Sequence, residues 1–296
     1  MAGLTLPTPI GMAAGFDKDC NVLKSLLNLG FGFVTGGTIT LASRPGNPKP
    51  RVIRLPDQKA LVNSMGFPGR GLEPAIKRLQ RSQPYKNRIF VSIAGTIEDE
   101  IFDCFNRAQS VAGGIELNIS SPNTVGLRIF HETGRLRGLI EGLTAEKTVP
   151  LFVKLPPWSR DDDDRREILK LAETAIDAGV DGLIVANTRP VESSRLKVGR
   201  GGLSGKPLFE NTELMIADVQ ALVHDEIGII ACGGVSTSTH VWKLLASGAS
   251  AVQLYTSFIY EGPGLPARLN KGLAKLMDAA GITTVEEISG TPPTIK

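Results

Sequence analysis

The chain of 296 residues is 42% hydrophobic and 21% charged, which gives it material for a large core and sets it apart from disordered chains. Its net charge of +3 comes from 33 basic and 30 acidic residues without any basic run, so a nucleic-acid surface is disfavoured, and no apolar stretch approaches the roughly 18 residues of a membrane span. Cys20, Cys104 and Cys232 are scattered, and His131, His224 and His240 lack ligand spacing, which points to buried thiols in a reducing compartment rather than disulfides or a metal centre.

In chain order, residues 1–9 lack the charged and apolar regions of a signal peptide. Short apolar runs then predict strands at residues 10–14, 33–36, 89–94, 115–119, 151–155, 182–186, 228–232 and 251–255. Segments of helical period lie between most of them, for example 97–109, 165–178 and 212–223. This alternation predicts an α/β fold, a closed (β/α)8 barrel forming one domain over residues 1–290, with a disordered tail at 291–296. Two connections are too long to be ordinary. Residues 37–87 include the proline-rich stretch 44–50, which cannot be helical, and are expected to fold over the barrel mouth as a hairpin or lid inserted after the second strand. Residues 188–207 read as irregular, with Gly199, Gly201, Gly202 and Gly205 allowing close backbone approach to a ligand. Ser159 is positioned to cap the helix that follows it, with Asp161 to Asp164 against its positive end.

In such barrels the reacting groups sit at the carboxyl ends of the strands. Those positions carry Ala14-Gly15-Phe16-Asp17-Lys18, Gly36-Gly37-Thr38, Asn118 to Asn123, Lys154, Asn187-Thr188, Gly233-Gly234 and Tyr255-Thr256, and the long excursion adds Asn63-Ser64-Met65-Gly66-Phe67. The run Glu116-Leu117-Asn118-Ile119-Ser120-Ser121-Pro122-Asn123-Thr124 crowds amides and hydroxyls where Pro122 forces the chain out of the ladder. Lys154 lies inside an apolar run, where burying it calls for an anionic or electron-rich partner, so it is expected to point into the site. Gly233-Gly234 and Tyr255-Thr256 end the seventh and eighth strands, where such barrels often hold a phosphate on glycine amides and a helix N-terminus, so a phosphorylated cofactor is expected.

From about residue 10 to residue 263 these motifs, together with Arg44-Pro45-Gly46-Asn47-Pro48-Lys49-Pro50-Arg51 and Gly201-Gly202-Leu203-Ser204-Gly205, resemble those of dihydroorotate dehydrogenases, the flavin enzymes of pyrimidine synthesis. Serine rather than cysteine at Ser121 resembles the class 2, quinone-using branch. The resemblance implies an FMN-dependent oxidation of dihydroorotate to orotate, with Ser121 removing the C5 proton and a hydride passing to the flavin. It implies that Lys18, Asn63, Met65, Gly66, Phe67, Asn118, Asn123, Asn187 and Thr188 hold the substrate, with Thr124 and Phe67 flanking the route of the departing proton. For the cofactor it implies Ala14, Gly15, Lys18, Thr38, Asn118, Lys154, Ala186, Gly205, Gly233, Gly234, Tyr255 and Thr256.

The chain departs from the family pattern in three places. Ser92 stands near the third strand end where the family has asparagine, and takes that flavin contact. Pro68-Gly69-Arg70 follows Phe67 in place of amides, and Met1 lies only about nine residues before the first strand, so the sequence as read lacks the membrane-associated extension of class 2. The expected location is therefore cytoplasmic, or peripheral on the inner membrane if a leading segment has been removed. The electron acceptor, a quinone or another, stays open. Oxidation of another dihydropyrimidine and a catalytically silent flavin-binding relative are the competing readings.

Overall fold

A computed structural model describes residues 1–120, 126–158, 161–223 and 227–291. Its strands are β1 (Ile10–Met12), β2 (Phe33–Ile39), β3 (Val52–Leu55), β4 (Ala60–Asn63), β5 (Ile89–Ile93), β6 (Gly114–Asn118), β7 (Leu151–Lys154), β8 (Gly182–Val185), β9 (Arg189–Glu192), β10 (Arg200–Gly205), β11 (Gly228–Cys232) and β12 (Ala251–Leu254). The helices are α1 (Leu23–Asn28), α2 (Leu72–Gln80), α3 (Glu98–Ala108), α4 (Thr133–Glu146), α5 (Asp162–Asp177), α6 (Phe209–Gln220), α7 (Ser238–Ala246), α8 (Thr256–Glu261) and α9 (Leu265–Ala280). The order β1-β12-β11-β8-β7-β6-β5-β2, with every neighbouring pair parallel, closes a (β/α)8 barrel from the eight strands that the apolar runs predict.

The pleat sorts each strand's residues into two sets. One set, including Val34, Val91, Ile115, Leu117, Val153, Leu183, Ile229 and Val252, faces the helices and belongs to the main core. The other faces the barrel axis, where Phe33, Phe90, Phe152, Ile184, Ile230 and Ala251 form a separate cluster at the amino end. Neighbouring strands must yield space for the three rings. A Cβ at Gly11 would stand 2.4 Å from the Phe33 ring, and one at Gly182 would stand 2.6 Å from that of Phe152. Phe33–Phe90 and Phe90–Phe152 centroids lie 5.2 and 5.3 Å apart. Met1, Ala2, Leu4 and Leu6 pack beneath this plug.

Both long excursions rise over the opposite, carboxyl end and pair with each other in the antiparallel sheet β3-β4-β10-β9. The expected lid is therefore present, but residues 188–207 are not irregular. They form the hairpin β9/β10, whose glycine-rich β10 gains its pairing from β4 rather than from an apolar pattern of its own, with polar β9 added at the edge. Ile53, Ala60, Val62, Leu196 and Leu203 give this sheet its own small core. It is tied to α8 by Thr256 Oγ1 donating to Ser204 Oγ (2.8 Å), Tyr260 OH donating to Ala60 O (2.8 Å) and the Lys59–Glu261 ion pair (2.6 Å). The proline-rich stretch braces the next segment. Asn47 N–H donates to Met65 O (2.9 Å), and Arg44 and Gly69 form a two-hydrogen-bond bridge.

Two further expectations touch residues that are only partly described. Ser159 lies outside the described residues, and the cap of α5 is Asp161, whose carboxylate accepts from Asp163 N and Asp164 N at 2.9 and 3.1 Å. The chain end does not loosen at residue 291. Gly290 N–H donates to Ala246 O (2.9 Å) and Trp242 Nε1 donates to Thr291 O (3.0 Å), while residues 292–296 lie outside the described residues.

Candidate active site

Inside the barrel, one step of two residues above the phenylalanine plug, the inward positions become polar. Thr35, Ser92, Glu116, Lys154 and Gln253 are all buried. Lys154 points inward as expected, and its partner is one that apolar alternation concealed. Its Nζ lies 3.7 Å from Glu116 Oε1, with side-chain exposures of 6% and 0%. Burial opposes the Lys154 ammonium, but the Cys232 sulfur and the Glu116 carboxylate outweigh it and hold the group above its ordinary value. Burial pushes the cavity-lining Cys232 thiol up, with the Lys154 ammonium acting against it.

Above this ring opens a cavity between the strand ends and the lid sheet, with about 1260 Å³ of space when the solvent at its open mouth is included. Its walls bring together Ala14, Gly15, Lys18, Thr38, Asn63, Met65, Gly66, Phe67, Asn118, Lys154, Ala186, Asn187, Thr188, Gly205, Gly233, Gly234, Tyr255 and Thr256. Ser121, Asn123 and Thr124 fall outside the described residues. Ser92 is a correction: it does not line the cavity but sits within the barrel wall, bonded to Thr38 and Glu116. Neither β5 nor the turn that follows it contributes to the cavity lining.

Each segment delivers its residue for a local reason. After β1, Asp17 accepts from Asn21 N and Val22 N (2.8 and 2.6 Å), bending the chain so that Lys18 faces the cavity beside Gly15. Burial first, and the nearby Arg51 guanidinium second, lower the Lys18 ammonium to about 8, with Asp19 acting against them. In the lid, Gly202 presents no side chain to Thr188, whose Oγ1 would stand 2.0 Å from a Cβ there. Phe67 holds a left-handed φ of +52°, a conformation uncommon for a residue with a side chain, and is buried against the core. At the far end, a Cβ on Gly205 or Gly234 would stand 2.4 Å from backbone atoms of Lys59 or Phe209, and both residues have positive φ, +100° and +73°. These two positions admit only glycine, and they leave bare backbone facing a ligand.

Sequence reasoning missed the apolar walls Ala13, Val52, Leu61, Leu208, Val235 and Leu254, and the polar Ser204, Lys206, Gln253 and Ser257. Gln253 continues the alternation of β12, a signal that was available; Val52 and Leu61 came into reach only through lid pairing. Gln253 Oε1 and Ser257 Oγ are buried without a protein partner among the described residues, and both line the cavity. Orphaned polar atoms on a cavity wall mark where a ligand supplies the missing hydrogen bond. The donor set of Lys154, the glycine and hydroxyl end at Gly205, Gly234, Thr256 and Ser257, and the flat apolar walls between them fit an elongated ligand with an electron-rich ring and an anionic tail.

Comparison with known proteins agrees with this geometry. Residues 1–277 match the family model described as Dihydroorotate dehydrogenase. Similar curated relatives include a protein named dihydroorotate dehydrogenase (quinone) from Chelativorans sp. (strain BNC1), 36% identical over 97% of this chain and 83% of its own length. Another of the same name, from Allorhizobium ampelinum, is 38% identical with the same coverage. Among solved structures, that of Eimeria tenella DHODH in complex with ferulenol superposes with a TM-score of 0.88 at 34% identity, covering 97% of this chain and 86% of the other. The ligand-free form of the same protein gives 0.88 at 33% identity.

Proposed function

The chain belongs to the dihydroorotate dehydrogenase family, and from that premise we propose that it is an FMN-dependent enzyme oxidising dihydroorotate to orotate, with Ser121 as the base. One observation carries the reading. Lys18, Asn63, Asn118, Lys154 and Asn187 arrive from five separate segments of the chain at one lidded cavity on the carboxyl end of the barrel. A dihydropyrimidine carboxylate offers carbonyl and carboxylate acceptors together with ring N–H donors. Amide side chains match both kinds, and Lys18 supplies the charge for the carboxylate.

Bound FMN supplies the two-electron chemistry of the reaction. Lys154, cationic and water-excluded, suits the edge of a ring that gains negative charge on reduction. Gly205, Gly234, Thr256 and Ser257 suit the phosphate. Ser121 directly follows Ser120, whose N–H and hydroxyl are both fastened to Asn118 Oδ1 (3.2 and 3.0 Å), so the segment carrying the base starts from an anchored point. A serine hydroxyl is a weak base, so the role calls for a positive charge in the site, and Lys18 supplies one on the cavity wall. The relatives' name makes a quinone the first acceptor to test, followed by fumarate, NAD and oxygen. Among the described residues no helix is long and apolar enough to cross a membrane.

Ser121→Ala tests the assignment. The variant is expected to retain FMN and to lose about 10²–10⁴-fold in the rate of flavin reduction by dihydroorotate; an unchanged rate in stopped flow removes Ser121 from the role.

A further inference from the structure

Six polar side chains form a continuous hydrogen-bond chain from the cavity into the barrel wall, and its direction can be derived. Thr188 N–H donates to Asn187 Oδ1 (2.7 Å) and Ser120 N–H to Asn118 Oδ1 (3.2 Å). Backbone N–H groups can only donate, so these two bonds fix which end of each amide is oxygen. Asn187 Nδ2 then donates to Ser120 Oγ (2.8 Å), the Ser120 hydroxyl to Asn118 Oδ1 (3.0 Å), and Asn118 Nδ2 to Thr38 Oγ1 (3.0 Å). Ser92 donates to Glu116 Oε1 (2.8 Å), and because a hydroxyl has a single hydrogen, Thr38 is the donor in its 2.9 Å bond to Ser92. Every donor therefore points the same way. The chain ends on Glu116, whose Oε1 also faces Lys154. Among the described residues, Asn118 and Asn187 each keep one amide hydrogen without a protein acceptor, on side chains that line the cavity.

We propose that Ser92 and Glu116, neither of which lines the cavity, are positioning residues that hold the amides of Asn118 and Asn187 as donors toward the ligand. Glu116 is the terminal acceptor without which Ser92, and then Thr38, have nowhere to direct their hydrogens. Ser92 is the link, which gives a purpose to serine at a position that does not line the cavity. The ligand arm of the following test rests on dihydroorotate turnover, because it uses orotate as the probe; the spectroscopic arm does not.

The experiment uses holoenzyme labelled with ¹⁵N-asparagine, and reads the side-chain amide signals of Asn118 and Asn187 together with orotate affinity by calorimetry. Ser92→Ala is expected to keep FMN, shift both pairs of amide signals and weaken orotate roughly tenfold, the value of one lost hydrogen bond in a buried network. Ser92→Thr, which keeps the hydroxyl, restores both readouts. Glu116→Leu shifts the same signals, whereas Glu116→Gln, which keeps an acceptor oxygen, leaves them in place. Adding Ser92→Ala to Thr38→Val costs no further affinity, because the chain is already cut. Unmoved amide signals in Ser92→Ala and Glu116→Leu overturn the proposal, as do losses that multiply in the double variant. If wild-type protein fails to bind orotate, the substrate reading falls, and the amide signals still decide the positioning role.

Discussion

Phe33, Phe90 and Phe152, and the residues two places further along the same strands, Thr35, Ser92 and Lys154, are equally buried and differ only in height within one barrel. The lower ring meets its neighbours through aromatic faces and methyl groups, with glycines cut away to admit them. The upper ring meets them through hydroxyls, a carboxylate and an ammonium, and leaves Glu116 Oε2 and Gln253 Oε1 without protein partners among the described residues. Buried apolar area stabilises the fold wherever it lies, whereas buried polar groups with unfilled valences cost stability until something binds them. A single step of the pleat therefore separates a layer that holds the barrel closed from one that holds a ligand, in line with the division of labour between the two ends of such barrels.

The sharpest way to break this contrast is to damage the lower layer. Phe152→Ala is expected to cost about 3–5 kcal/mol in denaturant unfolding, while the folded fraction keeps the wild-type rate of flavin reduction; a collapse of that rate per folded molecule would show the layers to be coupled. In the upper layer, Lys154→Met leaves the Glu116 carboxylate buried and unpaired. It is expected to destabilise by roughly 3 kcal/mol and, unlike Phe152→Ala, to release FMN on dialysis, so retained cofactor with unchanged spectrum would contradict the role given to Lys154.

A smaller effect separates charge from shape. Because burial and Arg51 lower the Lys18 ammonium to about 8, the group loses its proton as pH rises through that value. Orotate affinity should fall by about tenfold per pH unit above the titration point, with bound orotate moving that point upward. A flat profile between pH 7 and 10, measured by calorimetry and set against Lys18→Met, would exclude Lys18 as the carboxylate partner. The least effect belongs to Asp161, at the carboxyl end of the barrel but outside the cavity. Asp161→Ala removes a helix cap, with an expected loss of about 1 kcal/mol in stability and no change in orotate binding, which separates position at the mouth from membership of the site.

The barrel was legible because all eight of its strands are short apolar runs, and parallel strands buried on both faces advertise themselves that way. The hairpin β9/β10 was not, since Arg200–Gly205 owes its pairing to a partner more than a hundred residues earlier, β4, and Arg189–Glu192 pairs with β10 in turn. Most cavity-lining residues could be found at strand ends. Glu116 escaped because Ile115, Leu117 and Ile119 carry the alternation that marks the strand, and those residues face the helices; the inward set is the polar one. Ser92 was placed on the cavity wall, whereas its short side chain is engaged by Thr38 and Glu116 inside the barrel, a pairing that no local pattern in the sequence announces.

The most direct test mixes FMN-loaded protein with dihydroorotate in the absence of oxygen and follows the flavin absorbance. The cavity described above predicts rapid bleaching of the oxidised band with formation of one orotate per flavin. A preparation that binds FMN and stays yellow under dihydroorotate, but bleaches with dithionite, would contradict it.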